Sequence, residues 1–366
     1  MTKAVERTHS AIKRKRTIRF RYFSLVVGFL AFCFSISVVG YISQGLEQKV
    51  PYIPLVSEKL DYFALHKNKY DVLFIGSSRI YRQISPNDFD EFVSTKTRSF
   101  QSFNLGMFGM KLPETYFWLE KVLEMKPKNL KWVFVEVNLD NVYEPIANAR
   151  TNRVIYWHDF KHTINTLHYI FSVKDTLPRK IASAYSHLLP FFYHSINLGD
   201  FSNALLASLD SSKTPDVDTY RQYLGKSLNG YKALDDETGE VYIQPRRVFL
   251  ARLDDYSRQL NVLARQKTRK ANVARGEKEI LDRFQTLIET SGATPIFVIP
   301  PKLQREPALQ KLREDGYPVT ILAFNDPLKY ENLYRPNLRF DEKHLNDKGA
   351  REFTLLLAQE FMNDLN

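Results

Sequence analysis

Apolar positions along the chain fall into three kinds of run. The first is Tyr22 to Ile42, YFSLVVGFLAFCFSISVVGYI, twenty-one residues without a charge. At about 1.5 Å per residue it reaches across a hydrocarbon core of ~30 Å, which predicts a membrane-spanning helix. The second kind is short: Asp71 to Gly76, Phe100 to Leu105, Trp132 to Val137, Pro295 to Ile299 and Val319 to Phe324. These read as buried parallel strands. The third kind has helical spacing, in Leu112 to Met125 with Pro113 near its start, in Lys278 to Thr290 and in Gly349 to Phe361. Strands alternating with helices predict an α/β fold, an open sheet with helices on both faces. Between Glu144 and Arg247 the alternation stops, and a stretch rich in Tyr, Phe, His and Leu predicts a mostly helical insertion.

This divides the 366 residues into a basic arm (1–21), an anchor (22–42), a first sheet segment (43–143), a helical cap (144–247) and a second sheet segment (248–366). Charge orients the anchor. Residues 1–21 hold eight Lys and Arg against Glu6 alone, or +7 of the net +11, which leaves +4 for the other 345 residues. A cation-rich flank stays in the cytoplasm, so residues 43–366 are expected outside it, on a single-pass protein of the inner or plasma membrane. The weak remaining charge excludes a nucleic-acid footprint over the folded part. One basic stretch, Asn261 to Gly276, reads as a solvated face. The single cysteine, Cys33, falls within the anchor, so a disulfide framework or a Cys-rich metal site is excluded.

In an open parallel sheet ligands bind beyond the carboxyl ends of the strands. Four segments stand there: Gly76-Ser77-Ser78-Arg79, Asn104-Leu105-Gly106-Met107-Phe108-Gly109, Asn138-Leu139-Asp140-Asn141, and Asp341-Glu342-Lys343-His344 before the last helix. A serine hydroxyl needs a neutral imidazole to take its proton, and a carboxylate to fix the imidazole tautomer. The first and last of these segments hold residues of these types.

In this order the segments resemble the SGNH (GDSL-like) hydrolase and acyltransferase superfamily, in the membrane-anchored branch whose first block reads Gly-Ser-Ser. The resemblance covers roughly residues 70–142 and 280–362. It implies a flavodoxin-like three-layer sheet, Ser78 as nucleophile, His344 as base and Asp341 as its orienter. It also implies an oxyanion hole from the backbone N–H groups of Ser78 and Gly109 and from a third-block asparagine. The family expects Gly-x-Asn there, whereas Glu136 to Asn141 holds no glycine and two asparagines; Asn138 is taken, with Asn141 as the alternate. Arg79 is read as contacting an anionic part of the substrate, or else as a salt bridge that props the turn.

The activity so implied is transfer or hydrolysis of a small acyl group through an acyl-serine, on a cell-envelope or secreted polysaccharide. No cofactor is expected. The same resemblance implies a membrane-bound O-acyltransferase as partner. The competing expectation is a silent scaffold that binds polymer or docks in an envelope-assembly complex. Elsewhere, five of eight histidines (His158, His162, His168, His187, His194) fall in the insertion, where they are expected to pack, cap or line a groove rather than bind metal. The run Leu188 to Tyr193 reads as cap core, or as a face that dips into a membrane or docks a partner.

Overall fold

The structure, a computed structural model, describes residues 52–94, 99–139, 142–195, 216–265 and 272–365, with six positions between 23 and 35. The basic arm and most of the expected anchor lie outside the described residues, as do Asp140 and Asn141. No helix among the described residues is long and apolar enough to cross a membrane.

The first half runs α1 (Val56–His66), β1 (Val72–Ile75), α2 (Ser78–Gln83), α3 (Pro86–Val93), β2 (Ser102–Asn104), α4 (Leu112–Glu124) and β3 (Trp132–Glu136). Five helices of the insertion follow: α5 (Asn152–Trp157), α6 (Phe160–Ser172), α7 (Leu177–Ser195), α8 (Val217–Leu224) and α9 (Glu240–Ala251). The chain then passes through α10 (Leu253–Arg265), α11 (Arg275–Thr290), β4 (Thr294–Ile299), α12 (Pro307–Glu314), β5 (Thr320–Ala323) and α13 (Asp347–Leu365). All five expected strands form, each inside or within one residue of its apolar run.

Every strand pair is parallel, in the order β2-β1-β3-β4-β5. Parallel strands covered on both faces need continuous apolar runs, and β1 and β3 are buried at every position. Side chains alternate between two cores. Leu73 and Ile75 point toward α1, α4 and α11 (Phe63, Leu119, Phe284), whereas Val72 and Phe74 point toward α3 and α13 (Phe89, Phe353, Phe361). The chain leaves β1 for β2 on one side and later returns to β3 on the other. That reversal opens a crevice at the carboxyl end of β1, the place where doubly wound sheets bind ligands.

The insertion is fastened to this end of the sheet. Asn104 N–H donates to the carbonyl of Asn229 at 2.9 Å. Lys59 of α1, wholly buried, donates to the carbonyls of Asn104 (2.9 Å), Gly106 (2.6 Å) and Gly230 (2.8 Å). Burial, reinforced by the nearby Arg82 charge, pushes its pKa well below the ordinary lysine value. Residue 247, taken from the sequence as the end of the cap, falls inside α9. Helical structure continues from there through α10.

Candidate active site

The turn after β1 is built from short-range contacts. Ser77 caps α2, its hydroxyl accepting from Arg79 N–H at 3.2 Å. Its own N–H donates to Glu136 Oε2 at 2.6 Å, so the end of β3 holds the turn from below. Gly76 is required by that approach, because a Cβ there would lie 2.4 Å from the Glu136 Cβ. Asn104 holds the other side. Its amide donates to the carbonyls of Ile80 (2.7 Å) and Ile84 (2.8 Å) at the end of α2, while its oxygen accepts from Gly106 N–H at 2.8 Å. Ser78 therefore opens a helix braced at both ends, and its N–H, in the first turn, has no intrahelical acceptor.

The loop before α13 is equally constrained. Phe340 N–H donates to the His344 carbonyl at 3.0 Å, and Arg339 pairs with Leu345 as an isolated bridge. The buried Arg339 guanidinium donates to the carbonyls of Glu342 (2.7 Å) and Leu333 (3.4 Å). Asn346 caps α13, accepting from Gly349 N–H at 2.9 Å. Across the gap, the Gln83 amide of α2 donates to the Lys343 carbonyl at 3.4 Å.

These two frames bring three side chains into line. Ser78 Oγ lies 2.9 Å from His344 Nε2, and His344 Nδ1 lies 3.0 Å from each oxygen of Asp341. Asp341 Oδ1 also accepts from the N–H groups of Lys343 (2.7 Å) and His344 (2.8 Å). Burial opposes its ionisation. The hydrogen bond from His344 and the two backbone donors outweigh this and hold the Asp341 pKa below the ordinary carboxylate value. An ionised Asp341 accepts only, so Nδ1 carries the ring proton and Nε2 presents its lone pair to the serine hydroxyl.

Ser78, Asp341 and His344 line a cavity of about 470 Å³ with Gly109. Gly109 sits at φ 60°, a left-handed turn that glycine adopts without strain, and a Cβ built there would meet nothing within 4 Å. Beside it Arg82 is buried, donating to the Lys232 carbonyl (2.9 Å) and to Glu237 Oε1 (2.5 Å), with its guanidinium 4.2 Å from the Tyr81 ring centre and 4.9 Å from that of Phe108. The remaining wall comes largely from α9 and α10.

The other described sequence candidates, Arg79 and Asn138, are not among the residues that line this cavity. Asn138 follows β3, and Asn141 is outside the described residues. Arg79 points toward Glu136, with a nitrogen 3.8 Å from the carboxylate, the geometry of the propping salt bridge. In the insertion His158 caps the end of α5, whereas His162 lies in α6. His158 contacts the Val154 carbonyl (2.6 Å) and His187 (2.9 Å), and His162 sits between Asp159 (2.7 Å) and Glu120 (3.0 Å).

Two residues that shape the site, Glu136 and Arg82, have no role in the sequence reading, and Asn104 enters it only as the first residue of its block. Glu136 is a carboxylate ending an otherwise apolar strand, and that polar interruption was its one visible signal. No protein-family model matches the chain, and no curated protein matches it.

Proposed function

We propose that this protein is a serine acyltransferase or esterase of the SGNH (GDSL-like) kind. The single observation that carries the reading is the relay from Ser78 Oγ through His344 to Asp341, with contacts of 2.9 and 3.0 Å. Ser78 Oγ attacks the carbonyl carbon of an ester while its proton passes to His344 Nε2. The oxyanion that forms faces the N–H groups of Ser78 and Gly109, and losing one such donor costs about 10²–10³ in rate. The C–O bond to the leaving alcohol breaks as His344 returns the proton to that oxygen, leaving acyl-Ser78. A second hydroxyl, from a sugar or from water, then gives its proton to His344, attacks the acyl carbon and frees the serine.

The acceptor in this reading is a cell-envelope or secreted polysaccharide. The protein is held at the outer side of a membrane by residues 22–42, next to a membrane-bound O-acyltransferase. The test is covalent labelling of the full chain by a fluorophosphonate. One adduct per chain, absent from Ser78→Ala, is the expected result. Asn138 is not among the residues that line the cavity, which favours a second reading, a catalytically silent scaffold, and an unlabelled chain sides with it.

A further inference from the structure

The wall facing Ser78 is mixed: Arg252, Asp255 and Gln259 stand on it beside a run of apolar side chains from α9. Helix α9 places Val241, Pro245 and Val248 on the cavity, at the i, i+4, i+7 spacing of a single helix face. Amphipathic helices turn such a face inward, yet Val241 is 74% exposed and Val248 42%. Behind them the cavity floor is made of Phe249, Tyr256 and Phe340, all buried. Phe249 and Tyr256 meet edge to face with ring centres 5.2 Å apart, so α9 and α10 form one fixed wall. The result is an open trough, apolar along α9 and polar at Arg252, Asp255 and Gln259, that ends at the nucleophile.

Its size sets the occupant. A methyl group takes about the ~30 Å³ share of one water molecule, so the acetyl group of an acetyl-serine leaves nearly all of the 470 Å³ unfilled. We infer that the trough between Ser78 and α9 is an acyl-chain pocket, and that the acyl group carried on Ser78 is an aliphatic chain of roughly six to ten carbons. The inference rests on the proposed acyl-serine chemistry and names its substrate class. The chain lies along Val241, Pro245 and Val248 with its end toward Phe249 and Phe340, covering the apolar face that α9 leaves open. The ester linkage and the proton steps are those already written.

The experiment is a chain-length profile on the full protein in lipid nanodiscs, where no free detergent competes for the trough. p-Nitrophenyl esters from acetate to dodecanoate vary the acyl side, and acetate esters of alcohols from methanol to octanol vary the other. Each buried methylene raises kcat/KM by up to about fourfold, ~0.8 kcal/mol. Because the rim is partly open, the expected rise from acetate to octanoate is about a hundredfold. The alcohol series stays flat. Val248→Asp lowers the octanoate-to-acetate ratio at least about tenfold, since a charge then faces the chain. Val262→Asp serves as the control, because Val262 is exposed on α10 away from the cavity, and it leaves the ratio unchanged.

A flat or falling acyl profile, or a rise with alcohol length instead, overturns the pocket. If no ester is hydrolysed, labelling rates with methyl and octyl fluorophosphonates decide. Faster octyl labelling supports the pocket, and equal rates overturn it while leaving the serine reading intact. No labelling by either probe overturns both.

Discussion

Replacing Asp341 by Asn tests the relay at the residue farthest from the substrate. The substitution keeps the volume and removes the charge. Asp341 Oδ1 holds two backbone N–H groups at 2.7 and 2.8 Å, whereas Oδ2 contacts only His344 Nδ1, at 3.0 Å. The amide oxygen of an asparagine must therefore take the Oδ1 position, which puts its NH₂ group 3.0 Å from Nδ1. That donor competes with the proton Nδ1 has to carry and favours the tautomer in which Nε2 is protonated and cannot accept from Ser78. The negative charge that stabilises the imidazolium is lost as well. In serine hydrolases built on this arrangement the change costs about 10⁴ in kcat, or ~5.5 kcal/mol of barrier. A loss of about 10³–10⁴ is expected here in the rate constant for fluorophosphonate labelling, with KM for a p-nitrophenyl ester little changed. Both backbone contacts survive, so the thermal midpoint should stay within a few degrees of wild type. A labelling rate within tenfold of wild type, on a chain folded to the same stability, would refute the assignment of Asp341.

Two further outcomes concern the frame around the site. Asn104→Ala removes the partners of two buried carbonyls, those of Ile80 and Ile84, and should cost about 3 kcal/mol in denaturant unfolding; a loss below ~1 kcal/mol contradicts its bracing role. Asp90 of α3 is pushed up to about 7, chiefly by burial, although Ser102 N–H donates to it at 2.9 Å. A carboxyl whose folded pKa lies above its unfolded value, ~3.8, stabilises the fold below that value, and the contribution is lost as pH rises through about 7. Asp90→Asn should therefore match wild type in stability at pH 4 and exceed it at pH 8, by roughly 2 kcal/mol after allowance for partial solvent screening. Equal stability of the two chains at pH 8 contradicts the assignment.

The sheet was legible because its strands are buried on both faces. Full burial removes polar alternation and leaves short apolar runs bounded by turn residues, as in Asp71 to Gly76, where β1 forms at Val72–Ile75. Residues at the ends of those runs were legible as site candidates because an open parallel sheet collects ligands there. What hydropathy could not show is that the polar residue ending β3 turns inward. At the third block Glu136, the last residue of β3, accepts from the Ser77 N–H of the first-block turn. The outer wall was illegible for a different reason. Val241, Pro245 and Val248 have the spacing of any amphipathic helix, and only the fold of the residues between them and the first block carries α9 to Ser78. Asn104 was read as the opening of a glycine block, while its work is to hold the end of α2, a contact between segments that no local pattern encodes.

The central claim is that Ser78 is made nucleophilic by His344. Its most direct measurement is the site and rate of phosphonylation, read by tryptic mapping of wild-type, Ser78→Ala and His344→Ala chains. The account predicts an adduct on Ser78 and none on the adjacent Ser77, no adduct in Ser78→Ala, and labelling slowed by three or more orders of magnitude in His344→Ala. An adduct on Ser77, or undiminished labelling without His344, would contradict it.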